Sequence, residues 1–252
     1  MNILKTDIKL CDFHTHLHQY EINDKDLKQI NENSILTVAA SMDISSYIKT
    51  KNIKKYLNTS LIIPTFGIHP SLSDKDFNKD LALTLMKESP IIGEIGLDYL
   101  WAKNVDKKRQ IEVFRFFLDY CNKTNKYCVI HTKDAEKDVM DILKDYPNAR
   151  PIIHWYDGPT DIFKEIVKRG YYCTFGCEVK YSSHIRELLS MMDINKLLLE
   201  TDNPESEIWL GGSRRDPLLI DEVENDVATA LNKSKEEIKE KVIRNSLAIL
   251  SK

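Results

Sequence analysis

The chain has 252 residues, enough for one large domain with a substantial core, and its 36 basic and 39 acidic side chains leave a formal charge of -3. So small a charge gives no overall pull toward nucleic acid and leaves local basic patches or bound cations to supply one. The five cysteines include no Cys-x-x-Cys pair, and the first residues carry Lys5, Asp7 and Lys9. No disulfide framework, signal peptide or membrane helix is therefore expected, and a reducing, cytoplasmic setting without a membrane partner is.

The first run, Ile8 to Leu17, opens as a strand that turns polar at its far end, and a period of two places His14 and His16 on one face. Further strand-like runs follow at Ser34 to Ala40, Leu61 to Pro70 and Ile91 to Tyr99. Between them, Ile44 to Leu57 and Phe77 to Glu88 carry apolar residues at helical spacing. A long amphipathic helix is expected from Ile111 onward, after the charged segment Lys103 to Arg109. A fifth strand spans Tyr127 to Thr132, with helix from Val139 to Tyr146, and a sixth, Pro151 to Trp155, stops at the turn signal Asp157-Gly158-Pro159. Helix Ile162 to Arg169 closes at Gly170, strand seven is Tyr171 to Gly176 and strand eight is Lys196 to Asp202. Two closing helices, Leu218 to Leu231 and Ser234 to Leu250, complete the chain, the second with capping-box spacing between Ser234 and Glu237.

Eight strand-helix units without a low-complexity linker favour an α/β fold, a single TIM (β/α)8 barrel over residues 1–252. Continuous apolar strands suit a parallel sheet covered on both sides, and polar residues at strand C-termini suit the face where barrel enzymes carry their chemistry. Glu94 sits in a run that otherwise looks like buried strand, where a carboxylate is costly unless paired, protonated or bound to metal. With His14, His16, His131, His154 and Asp202 it makes six imidazoles and carboxylates, each on or at the end of a strand-like run. Any one of these histidines alone is more often a hydrogen-bonded core residue, but the recurrence points to a metal site. Six ligands suit two divalent ions, with Glu94 as the natural bridge. His69 ends its run at Gly67-Ile68-His69-Pro70, where it meets a substrate phosphate or serves only the turn. Arg214 and Arg215 follow strand eight and are placed for a phosphate or a salt bridge. The lysines of 49–55 and 103–108 are solvated helix faces in the commoner reading.

Asp12-Phe13-His14-Thr15-His16, Gly67-Ile68-His69-Pro70, Gly93-Glu94-Ile95-Gly96-Leu97-Asp98-Tyr99, Ile130-His131-Thr132-Lys133-Asp134-Ala135 and Leu199-Glu200-Thr201-Asp202-Asn203-Pro204 resemble, in order, the motifs of TatD-type metal-dependent deoxyribonucleases. The resemblance implies a barrel of the metal-dependent hydrolase type with two divalent ions. One would be held by His14, His16 and Asp202 and the other by His131 and His154, with Glu94 shared. It also implies DNA hydrolysis, often exonucleolytic and in the 3'-5' direction, with Asp202 as the base that orients or deprotonates the attacking water.

Three departures surround the ligands. Lys133 stands where the family usually has Arg, His154-Trp155-Tyr156-Asp157-Gly158 replaces a His-Cys-Phe-Ser-Gly-like run, and Arg214-Arg215-Asp216-Pro217 replaces something closer to Arg-Asn-Glu-Pro. Lys133 is accordingly expected as a point-charge contact to substrate. The His-Trp-Tyr run is similar to that of TatD-like proteins in multi-gene antiphage systems such as Qat, which leaves DNA repair or antiviral defence, with protein partners, as settings. Two alternatives stand beside the DNase: a hydrolase of a small amide or ester, since the same ligands activate water against carbon, and a barrel subunit with little activity of its own. Histidine and carboxylate ligands suit zinc, manganese, magnesium or nickel alike.

Overall fold

The computed structural model describes residues 7–204, 206 and 216–251. Eight strands alternate with helices along the chain: β1 (Leu10–Thr15), β2 (Ile35–Ala39), β3 (Ile62–Pro64), β4 (Ile92–Asp98), β5 (Tyr127–Lys133), β6 (Arg150–Ile153), β7 (Tyr172–Phe175) and β8 (Leu197–Leu199). The helices are α1 (Gln29–Glu32), α2 (Ile44–Tyr56), α3 (Lys79–Glu88), α4 (Lys107–Thr124), α5 (Glu136–Ile142), α6 (Thr160–Lys168), α7 (Ser183–Met191), α8 (Leu219–Ala230) and α9 (Lys235–Leu250). Hydrogen bonding orders the strands as β1-β2-β3 and β4-β5-β6-β7-β8, and the registered pairs are parallel. Strand residues are buried almost without exception, which is why the strands are continuous apolar runs rather than alternating ones.

Two compact units divide the contacts, one of Met1–Ala39, Ile48–Ile63 and Thr174–Lys252, the other of Ala40–Tyr47 and Pro64–Cys173. In the first, β1 lies beside β2 with Leu10 opposite Ile35 and Cys11 opposite Leu36. Leu17, Tyr20, Leu27, Ile30, Ala39, Ile53, Leu61 and Ile62 form a core cluster under β1 and β2. Helix α9 starts where its capping residues dictate, Ser234 Oγ accepting from the Glu237 N–H, and its Asn245 amide donates to the carbonyls of Ile194 and Leu197. That contact ties the helix to the start of β8.

In the second unit, β4 and β5 run in register with Gly96 opposite His131 and Asp98 opposite Lys133. Helix α4 is N-capped by Asp106, whose carboxylate accepts from the N–H groups of Lys108 and Arg109, and it buries Val113, Phe114, Phe117, Leu118 and Cys121. The cap places the helix start at Lys107, inside the charged segment and ahead of the start expected at Ile111. All five cysteines are free and buried, and among the described residues no helix is long and apolar enough to cross a membrane.

Several strands end earlier than their apolar runs suggest. β3 stops at Pro64, which has no N–H for a ladder, and the next hydrogen bonds pass to side chains, with Thr65 Oγ1 donating to the Gly93 carbonyl and Ser89 Oγ accepting from the Phe66 N–H. His69 is thus not a strand residue. It caps the 3-10 turn Pro70–Leu72, its ring accepting from the Ser71 N–H. α5 likewise ends at Ile142 and passes into a 3-10 turn, Leu143–Asp145, where one helix to Tyr146 was expected.

Glu224, on the buried side of α8, is 2% exposed, and its Oε1 has no hydrogen-bond partner. Burial, opposed by the charges of Lys235 and Lys239, pushes its carboxyl up to about 7. A carboxyl raised on folding holds its proton more tightly in the native state, so stability is highest below the unfolded value and falls as pH rises through the folded one. We predict that Glu224→Gln flattens the fall in melting temperature between about pH 5 and pH 8, read by thermal unfolding at each pH, with the variant gaining on the wild type toward pH 8.

Candidate metal centre

Each unit carries its own group of ligand-type side chains. In the first, His14 and His16 project from the end of β1, both buried, with their ring centroids 5.1 Å apart. The chain beyond β8 is brought alongside by Asp12. Its carboxylate accepts from the Thr201 N–H at 3.0 Å, from the Thr201 hydroxyl at 2.6 Å and from the His14 N–H at 3.3 Å. The backbone then pairs, Asp202 N–H donating to the His14 carbonyl and His16 N–H to that of Asn203. Asp202 itself adopts the left-handed region at φ 51°. Its Oδ1 lies 3.4 Å from His14 Nε2 and 3.3 Å from His16 Nε2. One nitrogen or oxygen from each of the three residues falls within 4.8 Å of the others. Burial raises the Asp12 carboxyl to about 7 against the lowering effect of its hydrogen bonds with Thr201 and His14.

In the second unit Glu94 is 1% exposed and surrounded by imidazoles: its Oε1 lies 2.8 Å from His131 Nδ1, 3.0 Å from His154 Nε2 and 3.6 Å from His69 Nε2. The opposite nitrogen of His131, Nε2, faces Asp98 Oδ2 at 3.1 Å. Asp98 Oδ1 accepts in turn from the N–H groups of Leu100, Trp101 and Ala102. Burial works to raise the Asp98 carboxyl, but the hydrogen bond and charge of His131 and the backbone donors outweigh it and bring it down to about 2. Asp98 is thus an ionised carboxylate that fixes which way the His131 ring faces, an arrangement common behind metal-bound histidine. His69, Asp98 and His131 also satisfy the spacing of a ligand group, yet the three backbone donors on Asp98 suit the orienting role better.

Close backbone approach makes this geometry available. At Gly96, φ 146°, a Cβ would lie 2.0 Å from the His131 carbonyl oxygen, and at Gly67 it would lie 2.3 Å from that of Glu94. Only glycine lets these strands lie so near the ligands.

His14, His16, Glu94, His131, His154 and Asp202 therefore all stand in buried or half-buried donor groups. His69, expected to meet a phosphate or to serve only the turn, caps the 3-10 turn and stands against Glu94 and His131. Lys133 is 2% exposed, its Nζ donating to the Trp155 carbonyl and to Asp157 at 2.8 Å each, so its charge is engaged within the protein. Arg214 and Arg215 lie outside the described residues. Two residues that the sequence reading quoted without a role, Asp12 and Asp98, hold these donor side chains in place. The signal for both was the one used for Glu94, an acid within an apolar strand run.

Imidazole and carboxylate donors gathered with little exposure fit divalent cations. A family model described as TatD related DNase matches residues 11–251. The chain belongs to the TatD family. An uncharacterized metal-dependent hydrolase of Methanocaldococcus jannaschii is 29% identical over 248 residues, covering 95% of this chain and 96% of the relative. A human protein named deoxyribonuclease TATDN3 is 23% identical, with 97% of this chain and 96% of the relative covered. Among solved structures, the TatD homolog YJJV of Escherichia coli superposes with a TM-score of 0.82 at 18% identity, covering 96% of this chain and 97% of that one. This TatD-family chain therefore has the TIM-barrel fold of the metal-dependent hydrolases and is a metal-dependent hydrolase.

Two outcomes test the geometry. Asp98→Asn removes the charge that orients His131 and should weaken metal binding about 10- to 100-fold, read by metal titration with the melting temperature as a control for folding. Gly96→Ala should destabilise the protein by more than about 1 kcal/mol, read by denaturant unfolding, because the backbone of β5 must move.

Proposed function

We propose that the protein is a divalent-metal-dependent deoxyribonuclease that removes nucleotides from DNA ends, in the 3'-5' direction implied by its motifs, and that it works in the cytoplasm, where its five thiols stay reduced. The observation that carries this reading is the pair of donor groups, each built from histidines and one carboxylate. One divalent ion would be held by His14, His16 and Asp202, and another by Glu94, His131 and His154. When bound, such ions polarise a phosphoryl oxygen and acidify a water at neutral pH. Zinc, manganese, magnesium and nickel all remain compatible with these donors.

The protein's own groups divide the remaining work. Asp202 is the exposed member of its set, with 14% of its side chain accessible against 0% for His14 and 6% for His16. It is therefore the group best placed to take the proton of the attacking water and pass it to solvent. Asp12 fixes Asp202 from behind through Thr201, and Asp98 fixes His131, so the donors need no rearrangement when substrate arrives. Glu94, enclosed by imidazoles, is placed to offset the charge of a cation that its group would hold.

Purified protein on end-labelled single- and double-stranded DNA, with chelator and with each metal in turn, provides the test. Metal-dependent release of nucleotides is expected, and Asp202→Asn and Glu94→Ala should each lower the rate by about 10²- to 10⁴-fold. A folded, metal-loaded wild type that releases no nucleotide from any DNA would overturn the proposal and favour hydrolysis of a small amide or ester.

A further inference from the structure

Trp101 is 61% exposed, the most open of the large hydrophobic side chains among the described residues, yet it is not on a loose surface. Its ring centroid lies 6.3 Å from that of His131. Lys133 Nζ lies 5.4 Å from the centre of the indole. That ammonium is itself immobilised by the Trp155 carbonyl and Asp157, so a fixed cation holds the indole in place.

The backbone beneath Trp101 is equally constrained. Asp98 Oδ1 accepts from Trp101 N–H at 2.7 Å and from those of Leu100 and Ala102, while the same carboxylate orients His131 through its other oxygen. The Gln110 amide of α4 donates to the carbonyls of Asp98, Ala102 and Val105, and its oxygen accepts from the Asp98 N–H. One carboxylate thus sets both a ligand of the candidate centre and an exposed aromatic ring beside it. Lys103 and Lys107 are exposed in the same segment, and the Lys107 ammonium sits 3.7 Å from the centre of the Tyr99 ring.

We infer that Trp101 is a stacking platform for the nucleobase of an unpaired terminal nucleotide, an inference that rests on the proposed DNase function. The spacing from His131 suits a base whose own phosphodiester lies at the Glu94 and His131 group, with the sugar bridging the two. A rigid exposed indole stacks on any base, so the subsite selects an unpaired nucleotide rather than a sequence. A base inside a duplex has its faces covered by neighbours and must leave the stack to reach the ring, which makes single strands and frayed ends the preferred substrates. Because the loop is already fixed, little ordering remains to oppose binding.

The test is binding of a fluorescently labelled thymidine hexanucleotide with phosphorothioate linkages that resist hydrolysis, compared with the same oligonucleotide carrying an abasic nucleoside at either end. Wild type, Trp101→Ala and Trp101→Phe are each loaded with metal, and metal content is measured in all three. Trp101→Ala should weaken the intact oligonucleotide by about 5- to 100-fold, the range expected for losing one stacked base, while leaving the oligonucleotide abasic at the bound end nearly unchanged. Trp101→Phe should keep most of the affinity. Equal loss on intact and abasic strands, or no loss on either, would overturn the inference. Hydrolysis of the unmodified strand by wild type is scored separately. Cleavage without base-dependent binding sinks the platform alone, and base-dependent binding without cleavage sinks the DNase reading alone.

Discussion

A carboxylate buried in a parallel sheet has no solvent to fall back on, and Glu94 is such a carboxylate. Its strand is covered on both faces, so its charge has to be balanced by neighbours on adjoining strands or by a cation. Three imidazoles supply the neighbours. Imidazole nitrogens gathered around a carboxylate at these distances form a donor group, and this chemistry is what a divalent cation satisfies. The other group meets the constraint differently: Asp202, 14% accessible, keeps an opening to solvent beside the buried His14 and His16.

Holding these donors requires a second layer of acids. Asp12 gathers Thr201 and the His14 backbone, and Asp98 gathers three backbone N–H groups and the His131 ring. Neither carboxylate is spare. Each converts the rigidity of a strand into the orientation of a ligand, and at Asp98 it carries that rigidity onward to the Trp101 loop. Glycine at 67 and 96 serves the same end by letting backbones approach where any side chain would collide. Side chains held this way are oriented by the fold itself.

Much of this was legible in the chain itself. Alternating apolar runs and amphipathic segments gave eight strand-helix units, because covered parallel strands leave no reason for polar alternation and helices on their outside do. The candidate ligands stood out because polar residues are conspicuous in such runs, and the ordered motifs around them pointed to the TatD family. Element ends were less so: Pro64 ends β3 and Asp106 begins α4, local hydrogen-bonding events that hydrophobic periodicity does not register.

The sequence alone therefore determined the alternation of elements and the candidate metal-binding side chains through residue type and spacing, and its ordered motifs carried the resemblance to the family. Tertiary structure decided how those side chains are used. Lys133 carries the same charge wherever it lies, but its burial against Trp155 and Asp157 directs that charge inward. His69 belongs to a turn motif in one dimension and stands 3.6 Å from Glu94 in three. Asp12 and Asp98 acquire their roles only from partners across strands or loops. Such roles depend on distances between residues far apart in the chain, and no local pattern encodes a distance.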